Sequence, residues 1–275
     1  MYKVFLTVRN RLEITKMCIE SLKKHSSMPY DLYVYDNASN YMVKDHFKYF
    51  GDLYEKGEVA QVTFTTPKST FNAFSKASAC NFFGKQHEED PNKDNYDFLL
   101  FIDNDIILTP EFDKKLKVSW HYIKKNKLDH IKVIGQIPGG IKNREQTLKF
   151  AGMMGRVGRL GGSGLWSVRP NFFTDVGYLN LKALVGQDKK HDQMYWVLLG
   201  KAAGGKPYIM GINQKLGIHC GKIAGSVCNR LTRTRDKNEK IEAIKFKEKE
   251  EKIAKYKFDE FYKMILDDRS LVKDW

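Results

Sequence analysis

Hydrophobic positions along the chain fall into short continuous apolar runs, separated by longer stretches in which apolar residues recur every three or four positions. Lys3–Val8 is a β-rich run, and Leu12–Lys24 places Ile14, Met17, Cys18, Ser21 and Leu22 on one face of a helix. Leu32–Tyr35 predicts a second strand, Met42–Tyr54 a helix, and Val59–Thr65 a third strand. A helix over about Phe71–Gln86 and a charged loop, His87–Asn95, lead to a fourth strand at Phe98–Ile102. Strands alternating with amphipathic helices predict an α/β fold with a mostly parallel central sheet covered by helices on both faces. Ligands of such sheets collect at the carboxyl ends of the strands, where the polar loops of this chain lie.

The second half is less regular. A helix to about Lys127 is followed by strands at Ile131–Gly135, Leu165–Val168, Tyr208–Ile212 and Leu216–His219, and by helices at Asn171–Val176 and Asp192–Ala203. Between them, Gly139, Gly140, Gly152, Gly155, Gly158, Gly161, Gly162 and Gly164 suit tight hairpins or a loop close to a ligand. From Asn238 to about Asp267 the pattern is one charged amphipathic helix, with Ile241, Ile244, Ile253, Phe258, Phe261 and Ile265 as packing positions. The expected organisation is one domain in two halves, 1–112 and 113–235, followed by a C-terminal helical buttress over 236–275.

Composition narrows the class. With 42% hydrophobic residues the 275-residue chain can bury a sizeable core, and no apolar run is long enough for a membrane span. Cys18, Cys80, Cys220 and Cys228 form no metal-ligand array, which points to reduced thiols and a cytoplasmic setting, a host cytoplasm if the source is viral. The net charge of +14 is unevenly placed: residues 1–112 hold 13 Lys+Arg against 16 Asp+Glu, residues 113–235 hold 23 against 6, and residues 236–275 hold 11 of each. The basic middle segment suits a polyanion, an anionic membrane surface contacted peripherally, or a phosphorylated small molecule, and otherwise a solvated lysine-rich surface.

The chemistry concentrates at Phe101-Ile102-Asp103-Asn104-Asp105. In extended backbone, side chains two apart share a face, so the two carboxylates would converge on one hard divalent cation, Mn²⁺ or Mg²⁺. Alone, an Asp-Xaa-Asp is a common acidic turn. Its setting is distinctive: Val4–Asn10 before a helix, Val34-Tyr35-Asp36-Asn37-Ala38-Ser39-Asn40, the Asn72–Asn81 segment, Phe98–Leu108 and Gly164–Gly177 occur in order. Together these resemble the family 2 glycosyltransferases of GT-A (Rossmann-like) fold, over about residues 3–220; Phe74 departs from a usual glycine.

The resemblance implies a nucleotide-sugar donor, UDP-linked as a first choice, and a metal-dependent inverting transfer to an acceptor hydroxyl. It implies that Asp36 contacts the base and that Thr7 and Asn10 line the nucleoside pocket. Arg9, Asn37, Ser39 and Asn104 join the donor-binding set, and Lys76 faces the diphosphate. Asp103 would contact ribose or the ion, Asp105 the ion, and His219 would complete the coordination. The family's Glu-Asp base motif is best matched by His191-Asp192, with Asp188 as the rival. The resemblance makes 1–112 the donor-binding half and 113–235 the acceptor-binding and catalytic half, and basic residues Lys142, Arg144, Lys149, Arg156, Arg159 and Arg169 fall on that expected acceptor side. That leaves a hydroxymethylated pyrimidine in DNA, of the kind bacteriophages glycosylate, level with a surface glycan or lipid-linked precursor. A nucleotidyltransferase, or a non-catalytic nucleic-acid-binding protein, is the alternative of another class; the loop after strand one has that enzyme's arginines but not its glycines.

Overall fold

The computed structural model describes residues 1–65, 76–136, 146–158, 164–178, 199–212, 215–224 and 247–272. The first unit is β1 (Tyr2–Val8), α1 (Leu12–His25), β2 (Tyr30–Asp36), α2 (Val43–Glu55) and β3 (Gln61–Phe64). It continues through α3 (Lys76–Glu89), β4 (Leu99–Asp103), β5 (Ile106–Leu108) and α4 (Phe112–Lys125). Then come β6 (Val133–Gln136), β7 (Gln146–Phe150), β8 (Met153–Gly158), β9 (Leu165–Val168) and α5 (Phe172–Val176). The last labelled elements are β10 (Ile209–Ile212), β11 (Gly217–His219), α6 (Gly221–Ala224) and α7 (Phe258–Asp267).

Among the described residues, nine strands form one sheet in the order β3-β2-β1-β4-β9-β6-β10-β8-β7. The ladders make β3, β2, β1 and β4 mutually parallel, and only β9 and β8 run against the common direction. The expected mostly parallel sheet is therefore present. Successive β1 side chains serve opposite faces, as the two-residue strand period requires. Val4, Leu6 and Val8 meet Ile14, Cys18 and Leu22 of α1 and Phe50 of α2. Phe5 instead joins Phe83 of α3, Phe101 of β4 and Phe173 of α5.

The glycine-rich region resolves in part into a hairpin. β7 and β8 pair from Phe150↔Met153 outward, across Ala151 and Gly152, both of positive φ (46° and 72°). Two left-handed residues are what a two-residue turn needs to match strand twist. Arg169 belongs elsewhere than the expected acceptor side. Because β9 is antiparallel to β4, with Leu165↔Ile102 and Leu99↔Val168, Arg169 emerges at the edge remote from Asp103, bonded to Asp129 at 2.9 Å.

The C-terminal segment is not one helix. Helical residues 247–253 end in a turn, and α7 restarts at Phe258, where the Glu260 side chain accepts from the Lys257 N–H at 3.1 Å. Phe261, Ile265 and Ile253 are fully buried in the core beside α1, each contributing about 2–3 kcal/mol by area. Cys18, Cys80 and Cys220 form no disulfide with one another, and among the described residues no helix is long and apolar enough to cross a membrane.

Candidate functional site

The carboxyl edge of the parallel strands gathers most of the expected residues. Ladder register sets Thr7 opposite Tyr35 on one side and Asp103 on the other, and Val8 opposite Asp36. Beyond β1 the chain breaks sharply: Asn10 and Arg11 are both left-handed, at φ 53° and 58°. Such residues cost about 1–3 kcal/mol each, and here side-chain bonds offset that strain. Asn10 Oδ1 accepts from the N–H groups of Asn40 and Tyr41 (2.9 and 3.0 Å), and Asn10 Nδ2 donates to Asn40 Oδ1. The Asn10 N–H donates to Ser39 Oγ at 2.7 Å. Asn10 thus clamps the loop after β2 to the loop after β1.

Asp36 is buried at the end of β2. Its Oδ1 accepts from the Ser39 N–H (2.8 Å), three residues on, and its Oδ2 lies 3.0 Å from His46 Nδ1. His46 is a residue that sequence reasoning missed. Its signal was a polar side chain on the stripe His46, Phe50, Leu53 that α2 buries. Asn37 is also buried, and its Oδ1 has no hydrogen-bond partner among the described residues.

At Asp103–Asp105 the backbone differs from the extended one expected. β4 ends at Asp103, Asn104 and Asp105 form a turn, and β5 leaves to pair with β11 in a separate two-stranded ladder. Strand alternation therefore does not bring the carboxylates together. The β5–β11 register, with His219 opposite Ile106, carries His219 to Asp105 instead. Gln136 Oε1 fixes that ladder to the main sheet by accepting from the Leu216 and Gly217 N–H groups (2.7 and 2.8 Å). The Cys220 N–H donates to the Asp105 carbonyl at 2.8 Å.

Asp105 Oδ2 is the focus. Arg11 Nη1 donates to it at 2.8 Å, while Arg11 Nη2 donates to Asn104 Oδ1 at 2.8 Å. Asn104 Nδ2 in turn reaches the Asn10 carbonyl (3.2 Å) and Thr15 Oγ1 (2.9 Å), so buried Asn104 braces the Arg11 arm. His219 Nε2 lies 3.7 Å from the same Asp105 oxygen. Below them, burial foremost and then the Asp105 and Asp103 carboxylates push the Cys18 thiol well up. Burial and Asp105 do the same to Cys220, so both stay protonated packing residues.

A carboxylate oxygen and an imidazole nitrogen suit a divalent cation. Among the described residues, however, no group of three His, Cys, Asp or Glu side chains is gathered to hold one. The Gly221 N–H donates to His219 Nδ1 at 3.1 Å, which puts the ring proton on Nε2, facing Asp105. The donor set would fit a cation in place of the Arg11 guanidinium, with Asp105 Oδ2 and His219 Nε2 as protein donors, once the ring proton moves to Nδ1 and the Gly221 N–H bond opens. Gly221 is critical to that geometry. A Cβ there would lie 2.4 Å from His219 Cε1 and 3.3 Å from Asp105 Oδ2. Gly221→Ala is expected to push the imidazole off Asp105 and weaken Mn²⁺ binding at least about tenfold, measured by titration calorimetry, with little change in Tm.

Of the other expected residues, Thr7, Arg9, Ser39 and Asp103 are half-buried at this edge. Lys76 begins α3. Asp188, Asp192, Lys142, Arg144 and Arg159 lie outside the described residues.

No protein-family model matches the sequence, and no curated protein is significantly similar to it. Solved structures do share its architecture. S. aureus TarS superposes with a TM-score of 0.50 at 17% identity over 78% of this chain. GalNAc-T7, solved with UDP, GalNAc and Mn²⁺, gives 0.52 at 12% identity over 77%. This chain spans 36% of that TarS chain, 41% of GalNAc-T7, and 59% of a TarS 1–349 fragment. The fold is that of GT-A glycosyltransferases.

Proposed function

We propose that this chain is a nucleotide-sugar-dependent glycosyltransferase whose donor diphosphate is received at Asp105. The observation that carries the reading is the convergence of Arg11 and His219 on one oxygen of that carboxylate, at the carboxyl edge of a GT-A sheet. The Asp36 loop, braced by Asn10, Ser39 and His46, offers the nucleoside a preformed wall beside Thr7. In this reading Arg9 and Lys76 are assigned to the phosphates, and Asp103 to the ribose or the ion.

A divalent cation held by Asp105 and His219 would neutralise charge on the departing nucleoside diphosphate. Arg11, displaced from Asp105, keeps five donors in a rigid fork suited to phosphate oxygens. In an inverting transfer the acceptor oxygen bonds to the anomeric carbon as the bond to the β-phosphate oxygen breaks. Its proton passes to a carboxylate, for which Asp192 is the first candidate and Asp188 the second. The basic 113–235 segment favours a polyanionic acceptor, with hydroxymethylated DNA and an anionic or lipid-linked glycan as the two classes to compare.

Release of nucleoside diphosphate from a panel of UDP-, GDP- and TDP-sugars, with and without Mn²⁺, is the test. UDP and Mn²⁺ come first because GalNAc-T7 was solved with both. Turnover of one donor, stimulated by the cation, is expected. Nucleic-acid binding without any donor turnover would replace the enzyme reading with the binding one, and transfer of labelled sugar to hydroxymethylated over unmodified DNA would select that acceptor.

A further inference from the structure

We infer that Glu250 of the C-terminal segment is a positioning residue: it caps the N-terminus of α1 and so holds the Arg11 arm against Asp105. The link to donor binding rests on the function proposed above; the cap itself does not. The first N–H groups of a helix have no partner within it, and the residue preceding the helix normally supplies one. Here that residue is Arg11, which is left-handed and gives α1 no side-chain cap. Its guanidinium is directed instead to Asp105 and Asn104.

The missing acceptor comes from a residue 237 positions away: Glu250 Oε2 accepts from the Glu13 N–H at 2.6 Å. Glu250 is 3% exposed, three residues before fully buried Ile253, and its Oε1 has no hydrogen-bond partner among the described residues. An apolar side chain would suit that burial better, so the carboxylate is explained by the helix end it meets. The groups around it are Glu13 and Arg11 of α1 and its entry, and His46 of α2, with Tyr41 sensing its charge from the loop between. His46 is the partner of Asp36. Glu250 is therefore within electrostatic reach of both Arg11 and His46, the partners of Asp105 and Asp36. At the other end of α1, Lys24 pairs with Asp259 of α7, so the C-terminal segment grips α1 at both ends.

Burial, opposed by the Glu13 N–H bond, pushes the Glu250 carboxyl from its ordinary 4.5 up to about 7. A raised carboxyl is bound more tightly to its proton in the folded chain. Its favourable contribution is present below pH 4.5 and is lost as pH rises toward 7.

The test compares the full chain with Glu250→Ala, Glu250→Gln and Asp259→Ala by amide hydrogen exchange and by titration with UDP in the presence of Mn²⁺. Glu250→Ala is expected to speed exchange at Glu13 about tenfold and to weaken UDP binding several-fold. Glu250→Gln, which keeps an acceptor oxygen, should restore most of both. It should also remove the loss of stability between pH 4.5 and about 7. Asp259→Ala, which loosens the other end, should leave the Glu13 amide and UDP affinity unchanged. Unaltered exchange at Glu13 in Glu250→Ala, or the same effects from Asp259→Ala, would overturn the inference. Exposure of the Glu13 amide in a protein that binds no UDP would uphold the cap and remove the donor reading.

Discussion

Asp105→Asn is expected to lower turnover of the donor identified by the panel at least about a thousandfold and to abolish measurable Mn²⁺ binding. The substitution keeps the volume of the side chain and an oxygen for Arg11 Nη1, now 2.8 Å from Asp105 Oδ2. What it removes is the negative charge on which Arg11 and His219 converge. Asn keeps a hydrogen bond to Arg11 but leaves the buried guanidinium without its counter-ion, so Tm should fall by several degrees, and activity is compared well below it. Because the effect is specific to charge, kcat and Mn²⁺ affinity should fall together while circular dichroism stays as in the wild type. Activity within tenfold of wild type would mean that Asp105 serves the fold and not the reaction. The function proposed for this edge of the sheet would then fail.

The fold was far more legible than the contacts of the site. Continuous apolar strands such as Lys3–Val8 and Phe98–Ile102 can be buried on both faces only in a helix-covered sheet, so the period of the pattern settles the architecture. The sequence also locates the Asp36 and Asp103 loops, because strand ends are marked by the switch from apolar to polar residues. What it does not contain is the distribution of hydrogen bonds within those loops. Asn10 looks like a ligand residue by pattern, yet its side chain is occupied by Asn40 and Tyr41. Arg11, beside it, reaches the carboxylate, and nothing in local spacing distinguishes the two.

The approach of His219 to Asp105 depends on a three-residue ladder, β5 with β11, formed across more than a hundred positions of chain. No local period reports such pairing. Glu250 was hidden for the opposite reason: in a segment of alternating Lys and Glu, one buried carboxylate has no compositional mark. Only its position three residues before Ile253, on the same helical side, hinted at burial. The break before α7 was likewise masked, because apolar spacing persisted on both sides of the turn.

Arg11→Ala is expected to give the largest loss of stability among substitutions at the site, together with a gain in metal affinity. Arg11 and Asp105 are 8% and 5% exposed and meet at 2.8 Å. Truncating one partner of a buried pair strands the other charge in a poorly solvated position, a cost of about 3–5 kcal/mol. For a chain of this size that corresponds to a fall in Tm of roughly 10 °C. Asn104 Oδ1 also loses its donor, adding to the loss. The same vacancy removes the group that a cation must displace from Asp105 Oδ2. Mn²⁺ should therefore bind Arg11→Ala more tightly than wild type and recover a larger part of the lost Tm, while UDP binds less well for want of the guanidinium. Thermal melts across a Mn²⁺ titration separate these effects. Equal Mn²⁺-induced shifts in the two proteins would show that the cation does not compete with Arg11, and the exchange of partners at Asp105 would have to be abandoned.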